Sequence, residues 1–293
     1  LKEFLMELTI KSTVNLNNDV KMPLLGLRAY KVKGEDAYNA VKWALEAGYR
    51  LIDTARIYCN EKAVGRAIRD SGIRRDEIFV TTKLWITDFD NPRAALKASL
   101  ERLGLDYVDL YLIHWPKKGY EQAYLELENL QKEGLCRCIG VANFKPHHIE
   151  SLKEHGATVV PQVNQTEIHP LNTEEELLGW CRKRKICVEA YSPLGSEGRL
   201  ILDDPRLIGM RNYYHASASQ ILLRWCIQRG IVAIPKAVIQ SKIEQNCQLY
   251  HFDITNSDIE TISDMNCNER RNYDPDKIDL RPMSMYPKIT PEE

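Results

Sequence analysis

Val108-Asp109-Leu110-Tyr111-Leu112-Ile113-His114 is a short, mostly apolar run set between two stretches of helical character, 92–103 and 120–133. Gly104 falls just past the first stretch, where a helix end favours a residue that accepts positive φ. The same unit repeats outward in both directions. Candidate strands are Leu24–Ala29, Arg50–Ala55, Ile78–Leu84, Val108–His114, Cys136–Asn143, Val159–Glu167, Cys187–Ser192 and Ile231–Lys236. Helix-like segments lie near 35–47, 60–71, 92–103, 120–133, 146–155, 173–184, 216–229 and 241–249. Eight strands, each followed by a helix, predict an α/β fold of the closed (β/α)8 TIM-barrel type, with residues 1–293 as a single domain.

The punctuation agrees. Gly48, Gly72, Gly104, Gly134, Gly156 and Gly230 each follow a helical pattern. Asn91-Pro92 and Lys145-Pro146 read as helix starts. Asn17-Asn18-Asp19, between Val14–Leu16 and Val20–Met22, reads as an N-terminal β-hairpin that plugs the base of the barrel. From Asn266 the chain turns polar and rich in Pro and Arg, a C-terminal tail too sparse in apolar residues to be a domain. The competing fold, a doubly wound open sheet, would put Gly-x-Gly-x-x-Gly after the first strand. The chain reads Leu25-Gly26-Leu27-Arg28-Ala29-Tyr30 there instead.

Composition narrows the function. Apolar residues make up 44% and charged residues 28%, with a formal net charge of −1, so there is no global attraction to nucleic acid or to an acidic membrane surface. The basic run Arg182 to Lys185 reads as the solvated end of a helix. No apolar run approaches the ~20 residues of a membrane span. Leu1 to Ile10 carries acidic residues and no small-residue cleavage pattern, unlike a secretory signal. Eight cysteines show no Cys-x-x-Cys pair; Cys136 and Cys138 read as packed thiols rather than metal ligands. That usage fits a reducing, cytoplasmic setting, with no metal expected.

Barrel enzymes carry their chemistry at the C-terminal ends of strands. Here Asp53 ends the second strand, Tyr58 follows it, Lys83 ends the third and His114 ends the fourth. A free tyrosine, with pKa ~10, is a poor acid at neutral pH. A neighbouring ammonium favours the phenolate, and a carboxylate keeps that ammonium charged and oriented. Asp53, Lys83 and Tyr58 thus read as a relay that makes Tyr58 a general acid toward a carbonyl oxygen, with His114 orienting the carbonyl. Each residue alone has a plainer reading: a satisfied polar histidine, an ion pair, a surface aromatic. Their delivery to one rim by successive strands favours the chemical one.

From Met22-Pro23 to about Asn246 the chain resembles the aldo-keto reductases. The resemblance lies in Asp53-Thr54-Ala55 through Tyr58-Cys59-Asn60-Glu61, Lys83-Leu84-Trp85 and Leu105 through Pro116. It continues in Gly140-Val141-Ala142-Asn143-Phe144, Asn164 through Pro170, Ala190-Tyr191-Ser192-Pro193-Leu194-Gly195 and Ile234-Pro235-Lys236. It implies a monomeric NADPH-dependent reductase of aldehydes or ketones, with Tyr58 as acid, Asp53 and Lys83 tuning it and His114 positioning substrate. Asn143 and Gln165 would hold the nicotinamide carboxamide and Tyr191 would stack on its ring. Ser192, Leu194 and Ser196 would line the pyrophosphate path, and Lys236, Ala237 and Lys242 the 2′-phosphate, with Asn246 near the adenine.

The chain departs from the family pattern at four places. Ala142 and Ala237 stand where Ser is usual, and Lys242 where Arg is usual. Lysine does not reproduce the bidentate fork of arginine, so NADPH preference rests mainly on Lys236, with NADH as a secondary cofactor. Arg28-Ala29-Tyr30 replaces a common Gly-Thr-Trp. Tyr30, Ile57, Trp85, His114 and Trp115 are expected to line the substrate pocket. The short loop Lys117–Tyr120 is similar to the compact branch that includes 2,5-diketogluconate reductases and protozoan prostaglandin F synthases, with an open pocket. Two competing expectations remain: a barrel kept for binding without turnover, as in potassium-channel β subunits and some lens crystallins, and a steroid double-bond reductase, which would carry Glu in place of His114.

Overall fold

The computed structural model describes residues 8–195 and 199–277. A hairpin comes first, β1 (Thr13–Asn15) paired antiparallel with β2 (Lys21–Pro23), so that Val14 faces Met22. Asp19 turns the chain at a positive φ of 65°. Asn17 Nδ2 donates to the Pro161 carbonyl at 3.1 Å and Asn18 Nδ2 to that of Arg137 at 3.2 Å, with Leu16 and Met22 buried above. The hairpin therefore closes the N-terminal mouth of the barrel.

The repeating unit then runs β3 (Leu27–Arg28), α1 (Gly34–Glu46), β4 (Leu51–Asp53), α2 (Glu61–Asp70), β5 (Phe79–Leu84), α3 (Pro92–Leu103), β6 (Val108–Ile113) and α4 (Tyr120–Lys132). It continues through β7 (Cys136–Ala142), α5 (Pro146–Glu154), β8 (Val163–Glu167), α6 (Glu175–Lys183) and β9 (Cys187–Tyr191). After β9 come α7 (Arg199–Leu202), α8 (Pro205–Tyr214), α9 (Ala218–Gln228), β10 (Val232–Ile234), α10 (Gln240–Cys247) and α11 (Asn256–Ser263). Strands β3 to β10 form an eight-stranded sheet in sequence order, every neighbouring pair parallel. Between its first and last strands, Gly26 N donates to Ala233 O at 2.9 Å, Ala233 N to Leu24 O at 2.9 Å and Arg28 N to Pro235 O at 3.1 Å, which brings the sheet round into a barrel. Gly26 is required at this seam, because a Cβ there would lie 2.4 Å from Leu51 Cγ.

Local chemistry explains the elements. Asn91 caps α3 by accepting from Ala94 N at 3.1 Å, Pro92 opens its first turn and Gly104 closes it at φ 63°. Every residue of β6 is buried, Asp109 included. The Asp109 carboxylate is tied to Arg75 and Arg137, each at 2.8 Å, and accepts from Val80 N at 2.9 Å. A charge inside the apolar run is thus satisfied at the end of the barrel away from the strand C-termini.

Besides the single turn α7, helices α8 and α11 form where the sequence pattern shows no helix. Their cap residues are ordinary: Asp204 accepts from Arg206 N at 2.9 Å and Thr255 from Asp258 N at 3.1 Å. Each buries little apolar surface, Leu207, Met210 and Tyr214 in α8 and Ile262 in α11. An amphipathic signal that thin does not register as a helical period. Arg182 and Lys183 occupy the last turn of α6 and are exposed, and Cys136 and Cys138 are fully buried free thiols whose ionisation burial opposes, with Cys138 pushed up to about 11. No helix among the described residues is long and apolar enough to cross a membrane.

The tail from Asn266 wraps the barrel as far as it is described. The Arg271 and Asn272 amides donate to the Glu167 carboxylate at 2.8 and 2.9 Å, and Lys145 Nζ reaches Asp274 at 2.8 Å and Asp276 at 2.6 Å. These contacts lay the segment across the C-terminal ends of the strands.

Candidate active site

Parallel strands aim their C-terminal ends at one rim, and the residues there converge on a cleft of about 340 Å³. Asp53 is the last residue of β4 and Lys83 the fifth of the six in β5. Their side chains are fully buried, and Lys83 Nζ donates to both Asp53 oxygens, at 2.6 and 2.7 Å, and to Thr54 O at 2.8 Å. The ammonium also reaches Tyr58 Oη at 3.5 Å. Tyr58 sits in a single helical turn, Arg56–Tyr58, that follows β4 and ends on Cys59 at φ 54°. That turn folds the tyrosine back over the rim.

His114 follows β6 and packs edge-on against Tyr58, with ring centroids 5.9 Å apart, and against Trp85 at 5.1 Å. Burial, reinforced by the charges of Lys83 and Arg28, holds its imidazole well below the ordinary histidine range. It is neutral at physiological pH, and its buried Nδ1 has no hydrogen-bond partner among the described residues. A neutral imidazole beside a phenol can orient a carbonyl without competing as the acid. Trp85 and Trp115 form a small apolar cluster with Ile57 and Ile86 against it, and Tyr30 meets Tyr58 edge-on at 5.1 Å.

The next three strand ends carry amides and an aromatic face. Asn143, at φ 64°, donates from Nδ2 to the His114 carbonyl at 3.1 Å and accepts from Tyr191 Oη at 2.8 Å. Gln165 Nε2 donates to Asp53 Oδ1 at 2.8 Å and to Glu189 Oε2 at 2.7 Å. Both hydrogens of that amide are therefore committed, which fixes its orientation and leaves the carbonyl oxygen for a ligand. Glu189 is buried on β9; burial and then repulsion from Asp53 push its carboxyl up to about 8, against the Gln165 hydrogen bond and the attraction of Lys83 and Arg28.

Ser192 turns the chain after β9 at φ 52°, and Leu194 lies half-buried beyond it. Ser196 lies outside the described residues. Lys236, Ala237, Lys242 and Asn246 follow β10 along the outer rim; the two lysines are exposed, Ala237 is half-buried and Asn246 is buried on α10. These groups suit a nucleotide with a planar, amide-bearing ring: an aromatic face at Tyr191, amides at Asn143 and Gln165, and hydrated cations further out. One feature intrudes. The Arg28 guanidinium carbon lies 4.5 Å from the ring centroids of both Tyr30 and Tyr191.

The chain belongs to the aldo/keto reductase family, whose model matches residues 24–266. It is similar to a glyoxal reductase of Bacillus subtilis, with 43% identity over 93% of this chain and 99% of that one. It is also 44% identical to a 9,11-endoperoxide prostaglandin H2 reductase of Trypanosoma cruzi, over 90% of this chain and 95% of the relative. The crystal structure of a Bombyx mori aldo-keto reductase in complex with NADP superposes with a TM-score of 0.83 at 36% identity, covering 95% of this chain and 98% of that one.

The sequence expectations did not include several parts of this site, among them Lys31 and Lys33, which line the cleft. Glu189 left a signal, a carboxylate inside an otherwise apolar strand. Asn60, which donates to Ala29 O at 2.7 Å and Val32 O at 2.8 Å and so holds the loop bearing Tyr30, lies within the quoted motif yet had no assigned role. Asn272 and Tyr273 of the tail line the cleft, and only the folded path of the tail shows that.

Proposed function

We propose that this chain reduces aldehydes or ketones to alcohols with NADPH, and that Tyr58 is the acid that protonates the carbonyl oxygen. The observation that carries this reading is the buried Lys83–Asp53 pair set 3.5 Å from Tyr58 Oη, with a neutral His114 facing the same phenol. NADPH, when bound, supplies the hydride that attacks the carbonyl carbon. The residues of the chain do the rest. Tyr58 gives its proton to the carbonyl oxygen as the carbon is reduced, and Lys83 stabilises the phenolate left behind until solvent restores the proton. His114 donates a hydrogen bond to the same oxygen and sets its direction. Asn143, Gln165 and Tyr191 are assigned the nicotinamide end, Ser192 and Leu194 the pyrophosphate together with Ser196, which lies outside the described residues, and Asn246 the adenine.

Lys236 is assigned the 2′-phosphate. With Ala237 and Lys242 beside it in place of Ser and Arg, discrimination against NADH is modest, and NADH serves as a secondary donor. The wall of Ile57, Trp85 and Trp115 fits small or flat carbonyl compounds, and similarity to a glyoxal reductase supports an aldehyde class. The chain is read as one domain acting as a monomer in the cytoplasm. The test follows the near-ultraviolet absorbance of NADPH with an aromatic aldehyde, a dicarbonyl and a sugar as substrates. Aldehyde-dependent loss of absorbance is expected. Tight NADPH binding with no turnover on any of them would replace this reading with a binding role.

A further inference from the structure

We propose that Arg28 is a specificity-determining residue of the cofactor site, a resident cation in the slot between Tyr30 and Tyr191 that disfavours the oxidised, positively charged form of a nicotinamide cofactor. The inference deepens the NADPH reading above and rests on it.

Arg28 is the last residue of β3, and its amide is anchored to Pro235 O at 3.1 Å. Its guanidinium carbon lies 4.5 Å from both flanking ring centroids and 5.8 Å from that of Tyr58, within the range where a cation and an aromatic face attract. Nη2 donates to Tyr58 Oη at 3.1 Å, closer than Lys83 Nζ at 3.5 Å. A planar cation of the chain itself therefore already lies over a face of Tyr191, the residue assigned to stack on the nicotinamide ring. A cofactor ring entering there displaces the guanidinium. Because the backbone at Arg28 is fixed in the barrel seam, the displaced charge stays within one side-chain length of the ring.

Asp53 offsets that charge only in part, because it is already held by Lys83. The groups around it are Asp53, Lys83, Tyr30, Tyr58, His114, Tyr191 and Glu189, and Lys31 and Lys33 line the same cleft. Two cations, Lys83 and Arg28, share one carboxylate, Asp53, whose oxygens are held by Lys83 at 2.6 and 2.7 Å while Arg28 Nε stands 3.9 Å away. Burial and repulsion from Asp53 disfavour the charged form of Glu189, and burial with Lys83 and Arg28 disfavours that of His114. Burial opposes the charge on Arg28, but attraction to Tyr58, Asp53 and Tyr191 raises its pKa above the ordinary arginine value, so the guanidinium stays protonated at every working pH. The oxidised nicotinamide ring is a cation and the reduced ring is neutral. A positive charge confined within a side-chain length of it separates the two forms, by about tenfold for unit charges in a partly buried site.

The test measures binding rather than turnover. Dissociation constants for NADPH and NADP+ are obtained by calorimetry or quenching of intrinsic tryptophan fluorescence for the full chain and for Arg28→Gln, Arg28→Met and Arg28→Lys. Removal of the charge in either neutral variant is expected to tighten NADP+ by about tenfold and NADPH by clearly less, and Arg28→Lys is expected to keep the discrimination of the native chain. An unchanged ratio of the two constants in a neutral variant that melts like the native protein would overturn the proposal. Failure of both forms to bind any of the proteins would overturn the cofactor reading beneath it.

Discussion

Lys83 grips Asp53 by both carboxylate oxygens, at 2.6 and 2.7 Å, with both side chains sealed from solvent. A buried ion pair of this geometry is held together by its own satisfaction, and removing one partner strands a charge in the barrel. Lys83→Met is therefore expected to destabilise the fold by roughly 3–5 kcal/mol, while the double variant Asp53→Asn/Lys83→Met recovers part of that loss. Chemical denaturation of both single variants and the double variant checks this; a double-variant loss equal to the sum of the two single losses would show that the pair is not coupled.

Tyr58→Phe removes one hydroxyl at the cleft and leaves the ring contacts with Tyr30 and His114 available. Turnover is expected to fall by about 10²–10⁴-fold, the range for loss of a positioned acid. NADPH affinity should stay within a few fold. Steady-state rates beside a binding titration separate the two, and activity retained by this variant would remove Tyr58 from the acid role.

His114 is held neutral because burial, Lys83 and Arg28 all oppose its charging. The unfolded chain binds this proton near its ordinary pKa of ~6.5, whereas the folded chain does not until lower pH. The contribution of the group is complete above that value and is lost as pH falls below it, at up to about 1.4 kcal/mol per pH unit. His114→Gln is expected to flatten the decline of stability below pH ~6.5 relative to the native chain. Melting curves across mildly acidic buffers read this directly, and identical slopes in the two proteins would contradict it.

Glu189 titrates in the opposite sense. Burial and Asp53 raise its folded pKa to about 8, so its contribution is present below the unfolded carboxylate range and is lost as pH rises toward that value. Glu189→Gln keeps the shape and the acceptor facing Gln165 without a proton to lose. It is expected to be more stable than the native chain by about 1 kcal/mol or more in neutral to mildly alkaline buffer, with the gain gone in mild acid. A stability difference that does not change with pH would place the cause elsewhere.

Much of the site was legible because a barrel turns position in the chain into position in space. Asp53, Lys83 and His114 lie at or beside the C-terminal ends of successive strands, and parallel strands in sequence order must deliver them side by side. Less regular parts were not legible. Helix α8 rests on three buried side chains and leaves no clear period, and the tail finds its place through the Glu167 carboxylate and Lys145, contacts more than a hundred residues distant in sequence. Arg28 stood out as a departure, but apart from the neighbouring Tyr30 its partners are distant in sequence, at Asp53, Tyr58 and Tyr191.

The sequence by itself determined the strand–helix alternation, hence the barrel, and the rim to which its polar strand ends point, because hydrophobic periodicity and turn chemistry act over a few residues at a time. Only the tertiary structure decided which charges are paired and which are left over. Lys83 takes both oxygens of Asp53, Gln165 spends its amide hydrogens on Asp53 and Glu189, and Arg28 is left among aromatic rings. Burial and distances of a few ångströms set those outcomes, and neither is written in the local order of residues.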